Sequence, residues 1–261
     1  MKPPKKTIKI ILLIAIVIFI LSYFQKNRLP AKEGILPELY QAPIQTETSE
    51  APFKAEKGGV IYNITPLYNY ELYGLIVSGH NSKNWLDYYH EKWEDFINLK
   101  DVCVVWGENI ETGAYWDLKF KNGSFTCYID FKSGVDKNAA YQKFKNEALS
   151  NNHLLSVDES INKKIMKAQE GDQIYLKGYL VRYAHDDFQR GSSITRNDAG
   201  NGACETIYLT DFKIIKEANA FWRVAFFITR YLIIVSIIIL LVLLFRGGGF
   251  KRGPEIKNLY E

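Results

Sequence analysis

The obvious catalytic signatures are missing from this chain. His90-Glu91-Lys92-Trp93-Glu94 lacks the second histidine of H-E-x-x-H, no G-x-x-x-x-G-K-[ST] phosphate loop occurs, and no G-x-S-x-G elbow surrounds Ser192 or Ser193. Enzyme classes that depend on these motifs are therefore not expected. Histidine is scarce, and residues 80, 90, 153 and 185 show no metal-ligand spacing. No C-x-x-C completes a zinc set, so neither a metal nor a cofactor is expected.

Cysteine is limited to Cys103, Cys127 and Cys204. An odd set allows at most one internal bridge, Cys127 to Cys204 or Cys103 to Cys127. Cys103 and Cys127 also sit in strand-like runs, DVCVVWG and SFTCYID, where thiols serve as core residues. Apolar content is sufficient for a core without any bridge.

Charge of one sign is also lacking. The net charge is only +4, and the basic residues crowd beside two apolar stretches, where they serve membrane topology first. A nucleic-acid partner is therefore not expected.

What the chain does have is a long apolar run at each end. Ile10 to Phe24 is almost unbroken Ile, Leu, Val, Ala and Phe, preceded by Lys2, Lys5, Lys6 and Lys9. That pattern fits a signal peptide or an anchor, but no small-x-small site follows Ser22, which favours an uncleaved anchor. The second run, about Phe221 to Phe245, carries only Ser236 as a polar residue after Tyr231. Trp222, Arg223 and Arg230 lie in its first half, where aromatic rings and snorkelling basic chains mark a membrane interface. Two spans place both termini on one side. Arg246, Lys251 and Arg252 then predict cytoplasmic termini and an extracytoplasmic central domain.

The expected division is a basic tip and anchor over 1–26, a tether over 27–59, an α+β domain over 60–217, a second transmembrane helix over 218–246 and a basic tail over 247–261. The tether is read from prolines at 30, 37, 43 and 52 among Glu, Thr and Ser. Strand chemistry begins at Val60. Pro66 is expected to interrupt it, and Gly74 to bend the segment that follows. Ser82 to Ile97 reads as an amphipathic helix that packs Trp85, Tyr88, Tyr89, Trp93 and Phe96 on a sheet. Asn122-Gly123 predicts a hairpin. Helices are expected over 136–149 and from Asp158 to Ala168, with strands over 173–184 and 205–216. The fold class is α+β: a curved antiparallel sheet or small OB-like barrel with two to three helices between the anchors. The Gly-interrupted strand within AQEGDQIYLKGYLVR resembles strand entries of OB-type barrels. In layout alone, the order of anchor, β-rich domain and anchor resembles the beside-a-membrane domains of some double-anchored proteins.

The segment His185 to Cys204 (HDDFQRGSSITRNDAGNGAC) is the candidate binding loop, because long loops in compact domains are usually functional. Arg190 and Arg196 offer planar donors, Ser192 and Ser193 hydroxyls, and His185, Asp187 and Asp198 polar side chains around them. The expected function is a non-catalytic, membrane-anchored binding or assembly module for a protein partner or an envelope polymer, with oligomerisation open. Two alternatives stand beside it. One is a hydrolase or nuclease-like enzyme using His185, Asp186 and Asp187; the other is an oligomeric pore or transporter subunit in which Arg230 matters.

Overall fold

The computed structural model describes residues 5–85, 87–123, 125–195, 198 and 203–247. They fall into two compact units, one formed by residues 27–218 and the other by the two chain ends.

In the terminal unit, α1 (Lys5–Gln25) is apolar nearly throughout. Its partner is the last helix of the chain (Ala220–Gly247). Both are long and apolar enough to cross a membrane, which suggests a two-pass membrane protein. Phe19 stacks on Phe226 at 4.7 Å, and Arg223 Nε donates to the Lys26 carbonyl at 3.3 Å. The residues buried between the helices include small or weakly polar ones, Ala15, Ser22, Thr229 and Ser236, as close helix packing in lipid favours. Trp222 and Arg223 are half-buried and Arg230 is exposed. The basic tail beyond residue 247, with Lys251 and Arg252, lies outside the described residues.

The central unit begins with two single turns of 3-10 helix, Lys32–Gly34 and Pro37–Tyr40. β1 (Ile44–Glu47) and β2 (Phe53–Lys57) both pair with the 22-residue β3 (Val60–Asn81). Residues 27–59 are therefore not the free tether that their prolines suggest. Ile35 and Leu39 are buried, Gln173 Nε2 donates to the Gly34 carbonyl at 2.8 Å, and Tyr115 Oη donates to Pro30 at 3.0 Å. A few apolar side chains seated in slots are enough to hold an extended strap.

Next come α2 (Tyr88–Lys92), β4 (Asn98–Val105) and the single-turn α3 (Glu108–Glu111), followed by the hairpin of β5 (Leu118–Asn122) and β6 (Cys127–Phe131). α4 (Lys137–Lys143) leads to β7 (Leu149–Leu155) and α5 (Glu159–Lys167). β8 (Gln173–His185), β9 (Phe188–Gly191), β10 (Cys204–Lys216) and the C-terminal α6 already described complete the chain. The fold is α+β, as expected, but the sheet is mixed. β7 and β10 run parallel, and the other pairings are antiparallel.

β3 pairs with β4 on one side and with β8 on the other, and the pairings β4–β7–β10–β8 lead back to it. Such a long strand must bend. It does so at bulges between Pro66 and Tyr68 and between Ile76 and Ser78, so Pro66 stays in the strand at an irregular position. At Gly74 a Cβ would meet Val104 Cγ1 at 2.2 Å, and at Gly178 it would meet the Tyr208 carbonyl oxygen at 2.1 Å. Both glycines let neighbouring strands approach where a side chain would collide.

Inside the sheet lie Leu72, Ile76, Val102, Val104, Leu176, Leu209 and Phe212. Ile161 and Ile165 of α5 join them, one helical turn apart on one face. Asp158 caps that helix by accepting from Ser160 N at 2.6 Å and Ile161 N at 3.2 Å. Each fully buried aliphatic side chain contributes about 2 kcal/mol. A second cluster joins Leu75, Val77, Cys103, Val105, Ile110 and Tyr115 to Ile35 and Leu39 of the strap.

The helix expected over 82–97 shrinks to five residues. Asp87 starts it by accepting from Tyr89 N at 3.1 Å and His90 N at 3.2 Å, and Glu94, at φ 51°, ends it. The run of aromatics is consequently not one covered face: Trp85 is 89% and Tyr88 64% exposed.

Candidate binding site

Register brings the polar residues of three strands together. His80 of β3 lies opposite Asp101 of β4, which lies opposite His153 of β7. Residues directly opposed across strands point to the same face. His153 Nδ1 bonds Asp101 Oδ1 at 2.7 Å, and Asn98 Nδ2 donates both to Asp101 Oδ1 at 3.3 Å and to His90 Nε2 at 3.0 Å. His90 Nδ1 and His80 Nε2 both reach Asp87 Oδ2, at 2.7 Å and 2.5 Å. The result is a continuous chain, His80–Asp87–His90–Asn98–Asp101–His153, buried except at half-buried His80.

Environment sets the charges along it. Burial by itself would push the His153 imidazole down, but the Asp101 carboxylate and a hydrogen bond with Cys204 raise it to about 9. Burial would likewise raise Asp87, but hydrogen bonds from His80 and the His90 backbone outweigh it and hold this carboxyl below the ordinary range. Asp95 goes the other way. Its burial keeps it raised despite Arg190 at 3.6 Å and the Tyr183 hydroxyl, which donates to it at 2.8 Å.

Aromatic rings roof this network. Phe125, at the tip of the β5–β6 hairpin, lies 4.8 Å from the His90 ring, 5.3 Å from Trp93 and 6.1 Å from Tyr89. Arg190 stacks on the other side of the group, with Cζ 4.2 Å from the Phe125 centroid and 5.8 Å from Phe188. Asn151 Nδ2 donates to the Phe125 carbonyl at 3.3 Å, and Asn122 Nδ2 to Asn151 Oδ1 at 2.6 Å, so the hairpin tip is tied to β7. The disulfide Cys103–Cys127, two residues beyond Phe125, secures the same end of the hairpin to β4, with Cα atoms 6.0 Å apart. This corrects the pairing of Cys127 with Cys204: the hairpin folds over β4, and Cys204 keeps a free, half-buried thiol.

Beside the roof, a cavity of about 270 Å³ is lined by Ser82, Lys83, Asn84, Trp85, Asp87 and Glu91 among others. Its lining mixes apolar surface with hydroxyl, amide and carboxylate groups and carries an exposed indole, suited to stacking and hydrogen bonding together.

The residues expected from 185–204 have mixed fates. His185 is buried, its ring 5.1 Å from both Tyr62 and Phe188, and Nε2 contacts the Trp93 carbonyl at 3.0 Å. Asp187 is exposed, and it is Asp186 that lies near the imidazole, with Oδ2 3.7 Å from His185 Nδ1. Arg190 is engaged by Phe125 and Asp95 rather than open to an anion. Ser192 Oγ donates to the Ser193 carbonyl at 2.7 Å and accepts from Thr206 N at 3.1 Å; Ser193 Oγ donates to Asp198. These hydroxyls shape the loop. Arg196 lies outside the described residues. The structure thus brings Arg190 to a site, while Ser192, Ser193 and Asp198 bond one another.

Compared with protein-family models, curated proteins and solved structures, the chain matches none. The residues that sequence reasoning missed are His80, Asp87, His90, Asp95, Phe125 and Trp93. A signal was present, since Trp85, Tyr88, Tyr89 and Trp93 crowd into nine residues with Asp87 and His90 among them. Helical periodicity assigned that crowd to packing instead.

Proposed function

We propose that this protein is a membrane-anchored, non-catalytic binding module whose central domain stands outside the cytoplasm and takes an envelope polymer at the aromatic cleft beside α2. The observation that carries the reading is Trp85, 89% exposed at the rim of a cleft furnished with hydroxyl, amide and carboxylate groups. A bare indole above polar donors and acceptors suits the apolar faces and hydroxyls of a sugar chain. Asp87, Glu91 and Asp95 outnumber Lys83 there, which disfavours a polyphosphate.

The circuit of pairings β3–β4–β7–β10–β8, with α5 between β7 and β8, supports a small OB-type barrel. In such barrels, the loop between the first two strands and the loop between the last two bind oligonucleotides or oligosaccharides. The counterparts here are the connection carrying Trp85 and the β8–β10 segment carrying Arg190. The orientation follows from Arg246, Lys251 and Arg252 after the second span, with both termini cytoplasmic.

The test is binding of isolated envelope polysaccharide to the intact protein in mild detergent, followed by tryptophan fluorescence. Saturable quenching in the native chain, lost in Trp85→Ala with Tyr88→Ala, supports the reading. Retention of a protein instead, identified by mass spectrometry and lost in the same variant, would replace the polymer with a protein partner.

A further inference from the structure

Two histidines and an aspartate converge where the sequence spacing gave no metal motif. His80 comes from the end of β3, and Asp87 and His90 from the start of α2. Their donor atoms, one from each residue, all lie within 4.8 Å of one another. The Asp87 and His90 side chains are 0% and 3% exposed and that of His80 16%, so water competes weakly for them. We propose that His80 Nε2, His90 Nδ1 and Asp87 Oδ2 form a site for a first-row divalent cation of the Zn²⁺ class, with water from the adjoining cavity completing the coordination.

The donor set has the right chemistry. Two imidazoles and one carboxylate suit zinc and its neighbours, and three protein ligands with an open position define a site that can hold water. The nitrogens now stand 2.5 Å and 2.7 Å from the same carboxylate oxygen, as hydrogen bonds. Tetrahedral donors at about 2.1 Å from zinc stand roughly 3.4 Å apart, so the two contacts must open by about 0.7–0.9 Å. Rotation of the His80 side chain, the least buried of the three, opens the first contact, and a small shift of the Asp87 carboxylate away from His90 opens the second.

A neighbour is placed to complete the second shell. Asn98 Oδ1 is buried without a hydrogen-bond partner, while Nδ2 of the same amide donates to His90 Nε2. A metal on Nδ1 leaves the proton on Nε2. Turning the amide by half a turn then offers Oδ1 to that proton, the orienting bond that metal-bound histidines usually make. The 3.3 Å contact from Nδ2 to Asp101 is given up, and Asp101 keeps His153. A second group, Glu94, His185 and Asp186, also gathers three donors, but its two carboxylates are exposed and it offers one imidazole.

The experiment uses the intact chain in detergent, stripped with a chelator and titrated with Zn²⁺ against a chromophoric competitor. One Zn²⁺ per chain is expected. His80→Ala should weaken it by about 100-fold and His185→Ala should leave it unchanged. Co²⁺ in the native chain should give the visible absorption of a four-coordinate N,N,O site, a readout that needs no variant. Zero stoichiometry, or an affinity that falls in His185→Ala and not in His80→Ala, overturns the proposal. Absence of the Co²⁺ bands overturns it even where His80→Ala fails to fold.

Discussion

The Arg190 guanidinium lies over the Phe125 ring with Cζ 4.2 Å from its centroid, while Nη1 faces the buried Asp95 carboxylate at 3.6 Å. One side chain thereby joins the β8–β9 hairpin, the β5–β6 hairpin and the β3–β4 connection. Cation–π contact accounts for part of this, on the order of 1–2 kcal/mol where the cation is desolvated.

Arg190→Ala therefore should not behave as a surface change. It leaves the Asp95 charge buried and unpaired, which costs about 3–5 kcal/mol, unless the carboxyl takes up a proton. Chemical denaturation of the purified protein should show that loss, and Arg190→Ala combined with Asp95→Asn should recover much of it. A change within about 0.5 kcal/mol for Arg190→Ala would mean that the stacking is incidental.

The His153–Asp101 pair makes stability depend on pH in a stated direction. The folded-state value of about 9 lies above the ordinary imidazole value of about 6.5. The stabilisation is fully present below about 6.5 and is lost as pH rises through about 9, by roughly 3 kcal/mol. Denaturation midpoints compared across that window should fall with rising pH. In His153→Asn, which has no imidazole to titrate, this component of the slope should vanish although the protein is weaker throughout.

Intact mass should show one disulfide, and peptide mapping should place it between Cys103 and Cys127, with Cys204 alone alkylated without reductant. The bond closes a separation of 24 residues, worth about 3.5 kcal/mol in the chain-entropy view. The buried strands should still fold in reductant, with the β5–β6 hairpin and its Phe125 tip loosened first. Labelling of both Cys103 and Cys127 in the untreated protein contradicts this.

Gly178→Ala should prevent folding or destabilise the domain severely, because its Cβ would sit 2.1 Å from the Tyr208 carbonyl oxygen, a backbone atom that cannot swing aside. Gly191→Ala, whose Cβ would meet nothing closer than Arg182 Cγ at 3.8 Å, is the control and should cost little. Melting temperature and soluble yield of the two variants decide the comparison.

Some of this was legible in the sequence because it is local. The apolar ends, the Asn122-Gly123 hairpin, the Asp158 cap and the strands around Gly74 and Gly178 each follow from nearest-neighbour chemistry. Where tertiary contacts decided, local pattern misled. Ile35 and Leu39 look too isolated for a core, yet slots beside β3 and β4 bury them. Asp87 starts a helix that Glu94 stops within two turns, so aromatics at helical spacing separate into buried and exposed sets. Nothing local tells that His80 faces Asp101 and His153 across three strands, because that juxtaposition is a matter of register. The 185–204 segment is half legible: the charge of Arg190 stands out, but its partners Phe125 and Asp95 are 65 and 95 residues away in sequence.

The most direct test of the account is equilibrium binding of envelope polysaccharide to the intact, detergent-solubilised protein, native against Trp85→Ala with Tyr88→Ala. Both residues are exposed, 89% and 64%, so the variant should keep its melting temperature. Stacking of a base on an aromatic ring is worth about 1–3 kcal/mol, and stacking of the same order on the Trp85 ring means that the variant should bind at least about 5-fold more weakly. Equal affinity in the two proteins, with folding intact, would contradict the assignment of the cleft beside α2 as the binding site.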